Sequence, residues 1–567
     1  MRYTNNIFLT LSFVTTVSMA QSPDYNFLEI NNLKTGVSSS GDLFSNATTF
    51  TSEMPAGSGK YSLAIGHLWI GGIDAGGTLR LAAQTYRQTG TDYFFGPLNA
   101  AGNYDPANNA TMNRVWKLNQ CDIDAYSAWV TSGQPWPFPI DSTALEVINN
   151  WPAFNLDGTP LAPFNDIDSN GIYDPSSGDQ PLIKGDQAIF FVYNDKAGLH
   201  TETGGAPLSV EIQGMMYGYS CDNDSALYNT VFTNYKIINK SINTINSVYI
   251  GNWSDLEIGY PGDDYTGSDV SRGAYYGYNS STIDPSYGAN PPAQGVVFLN
   301  GPLADSNLTD DPSSSSVNGT GFGDGIIDNE RLGLSKFVSY NNDFSAQGNP
   351  SGAVDNYKYL TGSWLDGTPW TYGGSGHLTG PVCDYLFPGS SDPLGYGTAG
   401  TPMPAWDEIT ASNTPGDRRG LGSFGPFTFE PGETQEIDFA YVFAKATSGG
   451  NLASVTLMQE RIDSIRAKFQ NPILGCGCSG ITSITETENN PNLSIYPNPT
   501  SNNLNIDYST NSKNYLLRII DATGRIISSE NKSSGLQVIS TESLQPGIYL
   551  LNILDNGKSI TKRFIRQ

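Results

Sequence analysis

Residues 427–443 read Phe-Thr-Phe-Glu-Pro-Gly-Glu-Thr-Gln-Glu-Ile-Asp-Phe-Ala-Tyr-Val-Phe. Ile437, Phe439, Tyr441 and Phe443 alternate with Asp438, Ala440 and Val442, the period of a strand that turns one face to a core. Pro431-Gly432 separates this run from another at 427–429, and the spacing predicts an antiparallel hairpin. Upstream, residues 231–238 and 247–253 predict a second antiparallel pair. Downstream, Leu452, Val455, Met458, Ile462, Ile465 and Phe469 recur at steps of three and four before Asn471-Pro472, which predicts an amphipathic helix with a core-facing stripe. No fixed period recurs, which argues against solenoids and propellers. The expected class is mainly β: a multi-domain β-sandwich body with long loops and one C-terminal amphipathic helix, followed by a small Ig-like β-sandwich.

Composition agrees with many short strands. The 567 residues include 62 glycines, 34 prolines and 11% aromatics, with 38% hydrophobic residues to fill cores. Lys and Arg number 29 against 55 Asp and Glu, a net charge of −26. Such a polyanion repels phosphate backbones and excludes nucleic acid as a partner, while its carboxylates suit hard cations. The three histidines, His67, His200 and His377, stand far apart in sequence and form no HExxH, which argues against a histidine-rich zinc hydrolase. No G-x-S-x-G elbow is present. Gly420-x-Gly422-x-x-Gly425 has the letters of a dinucleotide loop but leads into predicted strands rather than a helix. Carboxylate-only glycoside hydrolysis survives these exclusions.

Residues 1–20 combine Arg2, an apolar run over 7–14 and small residues at Ser18 and Ala20, the pattern of a cleaved signal peptide. Nothing after it reads as a transmembrane segment. Export permits disulfides among Cys121, Cys221, Cys383, Cys476 and Cys478, and the odd count leaves one unpaired thiol or an intermolecular bond. Cys476-Gly477-Cys478 is too tight for a C-x-x-C redox motif and has no second pair for zinc. It reads as a bridge to a distant cysteine. Residues 21–479 form the expected β-rich passenger, of two or more subdomains, and the polar stretch 480–492 the expected linker. Residues 493–567 carry eight basic and five acidic side chains, so a small basic module follows a strongly acidic body.

That last segment is dense in strand and turn signals. Residues 504–508 alternate, 515–520 run into Asp521-Ala522-Thr523-Gly524, and Asp555-Asn556-Gly557 separates two apolar runs. About seven strands are expected in this span. Tyr496-Pro497-Asn498-Pro499, the Asp521-x-x-Gly524 turn, Leu544-x-Pro546-Gly547-Ile548-Tyr549 and Lys562-Arg563-Phe564 closely resemble the type A sorting domain of the type IX secretion system of Bacteroidota. The resemblance covers 493–567. It implies recognition by the type IX translocon and its sortase-like machinery, passage through the periplasm, and release or attachment to surface lipopolysaccharide outside, usually with loss of the module. The body, through His67-Leu68-Trp69-Ile70-Gly71-Gly72-Ile73-Asp74, Gly185-Asp186-Gln187-Ala188, Asp263-Asp264-Tyr265-Thr266-Gly267 and Asp328-Asn329-Glu330-Arg331-Leu332-Gly333, resembles a group of secreted Bacteroidota cargo proteins. That resemblance implies no activity.

Asp166-Ile167-Asp168-Ser169-Asn170-Gly171-Ile172-Tyr173-Asp174 sets oxygen ligands at positions 1, 3, 5 and 9 of a calcium loop. Gly171 stands at the sharp turn and the Ile172 carbonyl at position 7. Ser177 replaces the bidentate Glu of an EF-hand, and Asp179 follows two residues on. Calcium held by Asp166, Asp168, Asn170, Ile172, Asp174 and Asp179 is expected, with a metal-free Asx turn as the alternative. Weaker candidates are Asp324, Asp328 and Glu330 for a second ion. Asp255 and Glu257 with Asp263, Asp264 and Asp269 are the candidates for a third. The expected function is that of an exported, calcium-stabilised surface or secreted protein in adhesion, matrix or glycan binding. The alternative is a glycoside hydrolase with a carboxylate pair in an aromatic-lined cleft, and a peptidase ranks third.

Overall fold

The computed structural model describes residues 22–46, 49–88, 90–106, 111–133, 140–470, 475–476, 493–510, 512, 514–521, 526–555 and 558–567. The signal sequence, the linker, Cys478 and the Asp521–Gly524 and Asp555–Gly557 turn centres lie outside them. The principal body strands are β1 Ile65–Asp74, β2 Leu79–Ala83, β3 Gln187–Asn194, β4 Val210–Gly218, β5 Thr230–Asn239, β6 Ile245–Leu256, β7 Asp264–Asp269, β8 Ala274–Asn279, β9 Ala293–Asn300, β10 Lys336–Asn341, β11 Arg418–Phe429 and β12 Thr434–Ala444. One sheet has the order β10-β11-β6-β1-β2. The other has nine strands, β7-β8-β9-β12-β5-β4-β3, with Phe94–Phe95 and Trp116–Asn119 both pairing with β3.

The two predicted hairpins are corrected here. β11 pairs with β6 and β10, whereas β12 pairs with β5 and β9, so the chain at 430–433 crosses from one sheet to the other. The connection from β5 to β6 crosses back in the same way. Both strands around each crossing alternate as expected, but alternation decides which face meets the core, not which strand lies alongside. The crossings brace each other: Asn239 donates from its backbone to Glu433 O (3.0 Å) and from its amide to Phe429 O (2.9 Å), and Gly432 donates to Asn239 O (2.8 Å).

Ile437, Phe439, Tyr441 and Phe443 enter the core between the sheets with Val248, Ile250, Phe298 and Phe424. Ala440, Val442 and Ala444 face the other way, beneath helix Gly450–Phe469, which buries Met458, Ile462 and Ile465 against them. Leu452, counted in the predicted stripe, is half exposed at 51%. Among the described residues the structure adds three helices that the periodicity does not announce, α1 Gln120–Thr131, α2 Ser142–Asn149 and α3 Ala353–Thr361, so the Gly450–Phe469 helix is α4. α2 is started by Asp141, whose carboxylate accepts from Thr143 N (2.7 Å) and Ala144 N (2.9 Å). α1 and α2 cover Trp116 and Phe190 at the far end of the nine-stranded sheet. α3 lies on the outer face of the five-stranded sheet, where Gly251 admits it: a Cβ there would come 2.7 Å from Leu360.

Leu493–Tyr496, Asn503–Tyr508 and Gly535–Ser540 form a three-stranded sheet. Tyr515–Asp521, Ile526–Lys532, Gly547–Asp555 and Lys558–Arg566 form a four-stranded one. They enclose a core of their own around Leu504, Ile506, Leu517, Ile519, Leu551, Ile553 and Phe564. The β-rich class and the separate C-terminal sandwich stand as expected. Cys476 bonds to Cys221 across 255 residues, Cys121 is also disulfide-bonded, and Cys383 is a buried free thiol.

Candidate functional site

The 166–179 loop folds around its own acids. Asp166 accepts from Asn170 N (3.2 Å) and Gly171 N (2.8 Å), and Asp168 from Asn170 N (3.1 Å). Asn170 Oδ1 accepts from Ile172 N (2.6 Å). Ser169 and Gly171 take positive φ, 60° and 76°, which makes the tight turn. Asp174 caps a short 3₁₀ turn at Pro175–Ser177 instead of closing an EF-hand. Asp179 is fully buried and accepts from Ile167 N (2.8 Å) and Asp174 N (2.9 Å). Asp166, Asp168 and Asp179 each offer an oxygen within 4.8 Å of the others. Burial pushes the Asp179 carboxyl up against its two backbone hydrogen bonds, and the charges of Asp166 and Asp174 add to the rise. Among the described residues no Lys or Arg forms an ion pair with any of these acids. Three of the predicted ligands, Asp166, Asp168 and Asp179, are thus brought together with oxygen donors only, while Asp174 turns to Ser177 N (3.1 Å) and does not join them.

The weaker groups do not assemble as expected. Asp328 accepts from Asn307 N and Leu308 N, Glu330 from Asp311 N, and Asp324 from Ile326 N. Each is committed to a different turn, and the three do not converge within 4.8 Å. Asp264 and Asp269 sit at opposite ends of β7, about 16 Å apart at strand rise, too far to share one ion. Asp263 is held by Asn279 (2.7 Å) and Asp269 by Arg272 (2.9 Å). Asp255 and Glu257 instead meet Asp417. Arg419 supplies the cation there, 3.2 Å from Asp255 and paired with Asp417, beneath Tyr86. Burial holds the Asp255 carboxyl well above its ordinary range. Gly416-Asp417-Arg418-Arg419 is thus an ion-paired turn.

An opening of about 1010 Å³ lies on the outer face of the nine-stranded sheet. α1 and α4 border it through Ile123 and Phe469. Its floor comes from strands far apart in sequence but adjacent in register: Gln213 opposite Lys236, and Met215 opposite Asn234 on β4 and β5. Lys236 then stands opposite Glu436, and Asn234 opposite Asp438, on β5 and β12. Asn234 donates one amide nitrogen to Glu436 (2.9 Å) and Asp438 (2.8 Å), and Asn300 reaches Asp438 at 3.2 Å. Asp438 is only 3% exposed. Burial raises its carboxyl, with Lys184 opposing and Glu436 adding. Two acids and three amides on one face of the sheet, with Lys236 beside them and Lys184, Arg331 and Arg518 reaching in from outside it, form with Phe164, Tyr217 and Phe469 a hydrogen-bonding floor with apolar rims. That is the chemistry of a binding cleft. Charged side chains inside a strand whose neighbours face a core are the one sequence signal of it, visible at Glu436 and Asp438.

The C-terminal module closes one side. Arg518 and Ile520 alternate with Leu517 and Ile519 and so face away from the module's own core. Yet they are 7% and 6% exposed and line the opening. Arg518 pairs with Asp124 of α1.

Residues 494–567 match the family model of the secretion system C-terminal sorting domain. The chain is therefore type IX secretion cargo, which passes through the periplasm to the cell surface or the medium, and its tail interacts with that machinery. Among the described residues no helix is long and apolar enough to cross a membrane. No curated protein matches the chain. Among solved structures, a Bacteroides vulgatus protein with an immunoglobulin-like β-sandwich fold aligns at 17% identity over 13% of this chain and 84% of its own, with TM-score 0.12. A polysaccharide lyase aligns at 8% identity over 67% of this chain, TM-score 0.19. PorZ, a surface component of the type IX secretion system of Porphyromonas gingivalis, aligns at 10% over 73%, TM-score 0.12. The alignments span 35% of the lyase and 48% of PorZ, and scores this low carry no argument about the body.

Proposed function

We propose that the body is a calcium-stiffened binding protein that engages extracellular glycan once its tail has brought it outside. The observation that carries this reading is the cleft on the nine-stranded sheet, with polar floor and apolar rims. Calcium would sit among Asp166, Asp168, Asn170, Ile172 and Asp179, fixing the 166–179 loop. Its role is to neutralise the buried Asp179.

Hydrolysis is the second reading, favoured by the pair Glu436 and Asp438. Sharing the Asn234 amide holds their oxygens within about 6 Å. A glycosidase needs its two carboxyls on opposite sides of the scissile bond. These two project from one face of one strand, two residues apart, which favours binding. A glycan array and a reducing-end assay on the purified chain test both. Binding without bond cleavage supports the first reading, released reducing ends support the second, and an empty array with no release refutes both.

A further inference from the structure

We propose that the cleft takes an acidic oligosaccharide, a short chain carrying uronate carboxylates, laid across the strands of the nine-stranded sheet. This rests on the glycan-binding reading above and names its ligand class and site. In a chain of net charge −26, the cleft is a local exception. Lys184, Lys236, Arg331 and Arg518 line it against Glu436 and Asp438.

The two acids are already engaged by the protein. Glu436 has Lys184 at 3.8 Å and the Asn234 amide at 2.9 Å, and Asp438 is sunk beneath Asn234 and Asn300. Of the cations, Lys184 is the partner of Glu436, Arg331 is spent on the Gly301 and Glu436 carbonyls, and one arm of Arg518 is spent on Asp124. Lys236 projects into solvent from β5. Arg518, 7% exposed, keeps an Nε with no hydrogen-bond partner. A buried guanidinium N–H without an acceptor is costly, and a carboxylate arriving in the cleft supplies one.

Hydroxyls and ring faces suit the rest: amides and carboxylates on the floor, Phe164 and Phe469 at the rims. The floor runs from β3 through β4, β5 and β12 to β9. That is about 19 Å at sheet spacing, room for roughly three to four linked pyranose rings.

The test is calorimetric titration of the full chain with tetragalacturonate and with cellotetraose, at low and high salt. The uronate should bind at least tenfold tighter, with the advantage falling at high salt. Lys236→Glu, on an exposed side chain, should weaken uronate binding about tenfold while the melting temperature stays put, and Arg518→Ala should weaken it too. Equal affinity for the two tetramers, or uronate binding indifferent to both substitutions, overturns the proposal. If other glycans bind and Lys236→Glu leaves them unchanged, the site is wrong while the binding reading stands. If no saccharide binds at all, both fall.

Discussion

Acid should unfold this protein partly through one imidazole. His67 is 1% exposed, stacked on Trp253, and its Nε2 lies 3.3 Å from Asp42 without a hydrogen bond. Burial pushes the ring down to about 4 from 6.5, with Asp42 opposing and Arg87 adding. Between pH 6.5 and pH 4 the unfolded chain therefore holds a proton that the folded chain refuses. Stability is intact above pH 6.5 and drains as pH falls through that window. A shift of this size corresponds to about 3 kcal/mol between pH 7 and pH 4. Asp42, held near 2 by Arg87 and His67 against its burial, titrates below the window and does not blur it. His67→Gln removes the titration and keeps a side-chain donor. Urea unfolding followed by tryptophan fluorescence at pH 4, 5, 6 and 7 gives both curves, and their difference cancels the other acids. That difference should change by about 3 kcal/mol across the range, the wild type losing more. Parallel curves would show that His67 is protonated in the fold and that the burial argument fails.

Three other outcomes follow. Chelation with EGTA should lower the body's melting temperature by several degrees, as about 2.7 kcal/mol would at 100-fold saturation, and Asp179→Asn should abolish the EGTA effect; equal melts with and without EGTA in wild type refute the loop site. Replacing Cys221 and Cys476 with Ala opens a 255-residue loop, and chain entropy puts the loss at up to about 5 kcal/mol; an unchanged non-reducing melt contradicts it. A chain ending before residue 493 should accumulate in the periplasm, as cell fractionation would reveal; normal surface or medium levels count against the tail's role.

The sequence made some of this legible and hid the rest for physical reasons. Aromatic alternation at 437–443 located a strand and its buried face, because side-chain period is local. It misassigned the partner, because pairing at 418–429 is decided by contacts far away in sequence, such as Leu421 with Trp253. The convergence of Asp166, Asp168 and Asp179 was readable since the three fall within one short loop of chain. The Asp255–Arg419 cluster and the cleft were not, since Gln213, Asn234, Asn300 and Asp438 meet only when four strands align. Helices α1 to α3 escaped because each is short, at 12, 8 and 9 residues, so a helical period has little room to show, and α3 owes its seat to glycines on the sheet below.

The Cys221–Cys476 bond also decides how the body bears load. Any hauling of the chain by its tail arrives at residue 476, which is riveted to Cys221 and pinned by its N–H to Asp186. Strain then spreads into the start of the 221–239 segment and the middle of the nine-stranded sheet, in shear along many hydrogen bonds.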